Sequence, residues 1–233
     1  MVKISIITIA YNNYNGLKKT VDSVINQTAI DSIEYIIIDG ASSDGTREYL
    51  EKLPDKVKWI SEKDRGISHA FNKGLKLASG EMILCLNSGD CLIDKNVIES
   101  VLKDIDKKKV DILSYKVKVT NDTFIPATDD QRAIWEFCEE PHQGTFVSKR
   151  VYDLIGGYSE EYKIRMDHHF FARCKAKGFS FCFIPEIIVE YEPGGVSMAQ
   201  ENRKKFWREG MSVKMLYNIP ISLKDMVKFF VYR

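Results

Sequence analysis

No pair of cysteines in this 233-residue chain has CxxC spacing, and the five present, Cys85, Cys91, Cys138, Cys174 and Cys182, are odd in number. That pattern argues against a disulfide framework and a structural zinc site, and it suits a reducing cytoplasm. No apolar run approaches the ~20 residues of a membrane span. The N-terminal MVKISIITIAYNN has no long apolar segment ending in a small-residue cleavage site. A cytoplasmic protein is expected. Net charge is nearly absent at +1, which by itself says nothing about nucleic acid, and no nucleic-acid partner is expected. Two glycine patterns are also missing. No GxGxxG follows the first apolar run and no GxxxxGK[ST] occurs, which removes the main support for dinucleotide-binding and phosphate-loop readings.

What is present is a soluble, globular composition, 44% hydrophobic and 29% charged, with length for one large domain. The charge is unevenly spread. From Arg203 to Arg233 there are eight Lys/Arg against two Asp/Glu, a local +6 that leaves the rest of the chain at −5. The tail is basic and the body acidic.

Apolar periodicity predicts strands over Val2 to Ile9, Ile33 to Ile38, Val57 to Ile60 and Met82 to Leu86. Helices are expected between them, at Leu17, Val21, Val24 and Ile25, and at Ile67, Phe71, Leu75 and Ala78, with Gly80 as a stop. Repeated strand–helix alternation implies an α/β fold with a mostly parallel sheet and helices on both faces. Ligands of such sheets sit at the carboxyl ends of the strands. Polar loops fall there: Tyr11-Asn12-Asn13, Asp39-Gly40 and Asn87-Ser88-Gly89-Asp90. Further on, strands are expected at Val110 to Val119, Gln143 to Val147 and Phe179 to Ile184. Helices are expected at Lys149 to Ile155 and Asp167 to Lys177, with a helical possibility around Arg132 to Phe137 in an irregular stretch. Residues 1–202 read as one domain, with 101–202 completing 1–100 and expected to supply an acceptor side. Residues 203–233 read as a basic amphipathic tail. Carboxylates at strand ends suit hydrogen bonds to a ribose or base, and coordination of a hard divalent ion.

The chain resembles glycosyltransferase family 2, the inverting enzymes with the GT-A fold, over about residues 2 to 200. The resemblance rests on an ordered set: Ser5 to Asn12; Glu34 to Thr46; Glu62-Lys63-Asp64-Arg65-Gly66-Ile67 with Asn72-Lys73-Gly74; Gly80-Glu81 leading to Asn87-Ser88-Gly89-Asp90; His142-Gln143; and Gly156-Gly157-Tyr158 followed by Asp167. It is most similar to bacterial members that build capsule, O-antigen or exopolysaccharide units. The resemblance implies transfer of a sugar from a nucleotide diphosphate, with UDP the family's habitual nucleotide, onto a hydroxyl of a saccharide acceptor, free or lipid-linked.

Residue roles follow from the same resemblance. Tyr11 and the backbone from Thr8 to Ala10 would cradle the base, and Asp39 would accept from base or ribose. Asp64, Asn87 and Ser88 would complete the donor side. Asp44 suits helix capping better than ligand contact. Lys73 would approach the diphosphate or stand solvated on its helix. Asn87 to Asp90 takes the place of the family's DxD motif, with Asn87 and Gly89 where acidic residues are an option. Asp90 is left as the carboxylate for Mn²⁺ or Mg²⁺, and one Asp suffices when phosphate and water supply the other ligands. Asp167 is the implied general base. Relatives often carry Glu-Asp there, but this chain has Met166-Asp167. His142 and Gln143 would line the acceptor or the diphosphate side, and a neutral His142 could also ligate metal.

His168 and His169 adjoin Asp167 but point about 100° apart on a helix of ~3.6 residues per turn, which does not favour a shared ion. The Gly194-Gly195-Val196-Ser197 loop either closes over the diphosphate or makes a plain turn. The tail mixes Arg203, Lys204, Lys205 and Arg208 with Phe206, Trp207, Met211, Met215, Leu216 and Tyr217. Ser222 would cap a last helix carrying Met226, Val227, Phe229 and Phe230. This tail suits an anionic membrane surface, or packing on the body or on a second copy in a homodimer. A catalytically weakened GT-A-like binding or assembly module is the alternative function, and a sugar-nucleotide pyrophosphorylase is a third.

Overall fold

The computed structural model describes residues 3–119, 123–125, 136, 138, 140–196 and 199–232. The helix expected around Arg132 to Phe137 lies, apart from Glu136, outside these residues, as does Ser197. The strands are β1 (Ile4–Ala10), β2 (Ile33–Asp39), β3 (Val57–Ser61), β4 (Met82–Asn87), β5 (Cys91–Leu92), β6 (Ile112–Val119), β7 (Thr123–Ile125), β8 (Thr145–Ser148) and β9 (Phe181–Tyr191). The helices are α1 (Tyr14–Ile25), α2 (Thr46–Leu50), α3 (Ile67–Leu77), α4 (Val97–Lys108), α5 (Lys149–Ile155), α6 (Met166–Ala176), α7 (Arg203–Leu216) and α8 (Leu223–Val231).

One sheet runs β3-β2-β1-β4-β8-β6-β9-β5, with β7 paired to β6. It is parallel across β3, β2, β1 and β4, where strand–helix alternation requires crossovers. Beyond β4 it is mixed: β8 pairs antiparallel with β4 and β6, and β9 pairs parallel with β6 and antiparallel with β5. The alternation of side chains along each strand sorts the core into two layers. Ile4, Ile6, Ile37, Leu84 and Leu86 pack with Leu17 and Val21 of α1 and Ile98 and Val101 of α4. Ile7, Ile9, Ile36, Ile38 and Cys85 pack with Phe71 of α3 and Phe170 and Phe171 of α6. None of the five cysteines is in a disulfide.

A polar network pins the non-functional edge of the parallel half. Glu34, 5% exposed at the side chain, accepts from Ser5 Oγ, Lys58 Nζ (2.6 Å), Ser79 N (2.7 Å) and Ser79 Oγ (3.0 Å). Burial alone raises its pKa, but the hydrogen bonds from Lys58, Ser5 and Ser79 outweigh it and bring it from 4.5 to about 2. A carboxyl depressed in the folded state stabilises above its unfolded value, and that stability is lost as pH falls towards the folded value. Thermal melts of Glu34→Gln are therefore expected to be less stable than the unaltered chain at neutral pH. The gap should close between pH 4.5 and about 2, and a gap unchanged across that window contradicts the assignment.

The tail divides in two. α7 packs on the body through Val213, which is wholly buried, and Ile219 after it joins the same core layer. α8 begins with the expected cap at Ser222, as a capping box with Asp225. It has no buried residue.

Candidate active site

Sheet register assembles the site. Ala10 lies beside Asp39, Asp39 beside Ser61, and Ile9 beside Asn87, so the four parallel strands end in one row. Two loops are tied down just past it. Asn13 caps α1 by accepting from Gly16 N and donates through Nδ2 to Ser88 O (3.0 Å) and Ser88 Oγ (3.2 Å). Asp44 accepts from Tyr14 N (2.8 Å) at α1 and from Thr46 at α2. Asp44 thus satisfies the first N–H of both helices, although the N-cap positions themselves are Asn13 and Gly45.

Two of the donor-side residues have buried side chains. Thr8 does not reach the edge: it is fully buried, and its hydroxyl pairs with Tyr35 Oη at 3.1 Å. The row begins at Ala10, itself nearly buried, whose carbonyl accepts from Gly40 N (2.9 Å). Asp39 is also fully buried, and its carboxylate already accepts from Ser42 N, Ser42 Oγ and Ser61 Oγ. It shapes the Gly40–Ser43 turn instead of presenting an open acceptor.

The open acceptor is Asp64. Its Oδ1 takes Lys73 Nζ (2.7 Å) and faces His69 Nδ1 (3.1 Å). Its Oδ2 points at Gly40, where a Cβ would sit 3.2 Å from it and 3.1 Å from the Tyr11 ring. Tyr11 is 68% exposed. An exposed ring, a glycine floor and a carboxylate oxygen therefore face one small space, which any side chain at position 40 would fill. Lys73 is held by Asp64, Glu62 (2.9 Å) and the Lys63 carbonyl. Burial acts to lower its pKa, but the bonds to Asp64 and Glu62 raise it overall. It is an orienting cation, not a solvated one.

A line of polar contacts crosses from the strand ends to α6. Asp90 accepts at Oδ2 from Asn87 N (2.9 Å) and Asn87 Nδ2 (3.1 Å). The same Nδ2 lies 3.3 Å from His142 Nε2. His142 Nδ1 lies 3.4 Å from Asp167 Oδ2, and His168 N donates to Asp167 Oδ1 (2.7 Å). His142 stands edge-on to Phe71, which fixes its ring. An amide donor facing Nε2 selects the tautomer with the proton on Nδ1, directed at Asp167. Asp167 is 29% exposed. Burial pushes its pKa up, but His142, Arg165 and the His168 N–H more than offset this, so it lies below the usual carboxylate range. It is ionised at neutral pH. Gln143 follows His142 in the same short 3-10 turn.

Asp90 is 2% exposed, and burial pushes its pKa up to about 6. A buried carboxylate with too little counter-charge fits a cation. Among the described residues no group of three His, Cys, Asp or Glu lies together as a metal cage. An ion here would therefore rest on Asp90 and oxygens of a ligand, as Mg²⁺ commonly does. Glu192, which sequence reasoning did not single out, overhangs the same turn: a Cβ on Gly89 would meet its Oε2 at 2.7 Å. His169 is stacked on Tyr162 with centroids 4.2 Å apart and is contacted by Tyr217 Oη (3.3 Å), so it is an aromatic core residue. Val196 of the glycine loop lines a cavity of about 190 Å³ with Arg65, Gly66, His69 and Lys163, on the Asp64 side.

In class, the fold is that of the GT-A glycosyltransferases. S. aureus TarS in complex with UDP-GlcNAc matches 99% of this chain and 72% of that structure, with a TM-score of 0.77 at 19% identity. The chain spans 43% of the longer TarS structure. A mannosyltransferase from Pyrobaculum calidifontis in complex with GDP-Man and Mn²⁺ matches 99% of this chain and 68% of that one, with a TM-score of 0.72 at 17% identity. The chain belongs to glycosyl transferase family 2, whose model matches residues 5–179. An uncharacterized glycosyltransferase of Mycobacterium tuberculosis is 32% identical over 214 residues, 85% of this chain and 78% of that protein.

Proposed function

We propose that this glycosyltransferase moves a sugar from a nucleotide diphosphate, a UDP-sugar foremost, onto a hydroxyl of a saccharide acceptor with inversion at the anomeric carbon. The observation that carries the reading is the polar line Asp90–Asn87–His142–Asp167. It links an ionised carboxylate on α6 to the turn at the end of β4, which supports a proton acceptor set across from the donor. The base would lie against Tyr11, with an N–H donated to Asp64 Oδ2. The acceptor hydroxyl gives its proton to Asp167 as its oxygen attacks the anomeric carbon. The bond from that carbon to the diphosphate breaks on the opposite face, and its electron pair leaves with the nucleotide diphosphate. His142 and the His168 N–H hold the carboxylate in place while it takes the proton. A divalent ion held by Asp90 would neutralise the leaving diphosphate. UDP-GlcNAc in TarS, and GDP-Man with Mn²⁺ in the Pyrobaculum enzyme, support a nucleotide-sugar donor and an ion. The resemblance to bacterial polysaccharide enzymes supports a saccharide acceptor.

A thermal-shift screen of UDP, GDP, dTDP and CDP, each with and without Mn²⁺, tests the donor site. UDP is expected to raise the melting temperature, and more so with Mn²⁺. In Asp90→Ala the metal-dependent part should vanish. No shift with any nucleotide would sink this reading in favour of a module that keeps the fold without the chemistry. An Mn²⁺ effect that survives in Asp90→Ala would place the ion elsewhere.

A further inference from the structure

α8 carries Leu223, Met226, Val227, Phe230 and Val231 at the i, i+3, i+4, i+7, i+8 spacing of a single helical stripe. A stripe of this kind normally faces a core, yet these side chains are 73%, 42%, 52%, 66% and 66% exposed. Met215 and Leu216 at the end of α7, and Ile221 in the connection, are exposed as well. Exposed basic residues accompany them: Arg203, Lys204, Lys205 and Arg208 on α7 and Lys224 on α8.

The two acids of this segment do not offset that charge, because both are spent internally. Glu209 accepts from Lys163 N (3.0 Å), Ile164 N (2.9 Å) and Arg165 N (2.9 Å). Asp225 pairs with Lys214 (2.8 Å) and closes the capping box on Ser222. What faces outward is apolar and positive. A second copy of the same face would set Arg203, Lys204, Lys205, Arg208 and Lys224 against the same five cations, so like-charge repulsion opposes a dimer through it. A negatively charged lipid surface satisfies both features at once, burying the stripe among acyl chains and pairing the cations with headgroups.

We infer that α7 and α8 form a membrane-docking face for anionic lipid. The face is coupled to the acceptor side through Glu209. This residue fixes the three residues that lead into α6, two positions before Asp167. Docking is therefore a property of the fold independent of which sugar is transferred. With a lipid-linked acceptor it would set Asp167 next to the leaflet that holds the substrate.

Co-sedimentation of the full chain with vesicles tests this, using phosphatidylcholine alone and phosphatidylcholine with phosphatidylglycerol. Binding is expected to the anionic vesicles only, and to weaken as salt is raised. Each basic residue near such a surface is worth roughly fivefold in partitioning, so Lys204→Ala/Lys224→Ala should lose about 25-fold. Val227→Glu/Phe230→Glu should abolish binding. Its melting temperature should be unchanged, because Val227 and Phe230 are each more than half exposed. Should that variant melt early, the lysine pair decides alone. Equal binding to both vesicles, or none to either, overturns the inference. So does a dimer in light scattering that Val227→Glu/Phe230→Glu dissociates, since a second copy would then cover the face.

Discussion

Asp167→Asn is expected to slow sugar transfer by about 10²–10⁴-fold, the usual contribution of a positioned general base. The substitution keeps shape, and the asparagine oxygen can still accept from His142 or the His168 N–H. It removes the charge and the basicity. Nucleotide binding is expected to stay intact, because Tyr11, Gly40 and Asp64 lie on the other half of the sheet. Steady-state transfer assays with a thermal shift on UDP separate the two effects. A rate near that of the unaltered chain would remove Asp167 from the mechanism. A lost nucleotide shift would make it part of donor binding.

The second large effect is on stability. Gly80→Ala is expected to cost about 3 kcal/mol, the upper part of the usual range for overpacking. For a chain of this length that is roughly 10 °C in melting temperature. An alanine Cβ there would sit 2.5 Å from Ser5 N and 2.8 Å from the Ile4 carbonyl carbon, backbone of a central strand with no room to shift. Gly80 N also donates to Ser5 Oγ, which serves Glu34, so displacement would disturb that network. Gly195→Ala is the control: its new atom would meet Tyr191 Oη at 3.4 Å, an ordinary contact, and the melt should hardly move. Equal melts for the two variants would contradict the packing argument.

Strands with a strong local pattern were legible in the sequence. Met82 to Leu86 is an unbroken apolar run and Ile33 to Ile38 is broken only by Glu34, and the structure extends each by one residue, to Asn87 and Asp39. α5 matches its expected span of Lys149 to Ile155. α4 was not singled out. Its buried face is short, Val97, Ile98 and Val101, and the rest of its sequence is dominated by charge. β9 runs to Tyr191, well past the expected Ile184, although Pro185 interrupts the pattern. The sheet accommodates the proline at a register shift, where Ile184 pairs with Tyr115 and Ile187 with Lys116.

The site was legible as a set of loops but not as a geometry. Strand ends gave Tyr11, Asp39, Asn87 and Asp90. Which carboxylates remain open depends on neighbours brought from afar. Asp39 is filled by Ser61, Asp64 keeps Oδ2 clear, and His142 reaches Asp167 across a chain separation of 25 residues.

The shared sheet also constrains how turnover is gated. β8 bridges β4 to β6, and β9 pairs with β5, which starts one residue after Asp90. The parallel strands and the mixed strands beyond them are thus two stretches of one continuous ladder. A hinge between them would have to break ladder hydrogen bonds at every cycle. Admission of substrate and release of product therefore fall to the loops beyond the strand ends. Two of these carry glycines in the left-handed region, Gly66 (φ 124°) after β3 and Gly194 (φ 112°) after β9. The chain would work as a rigid bench with moving covers.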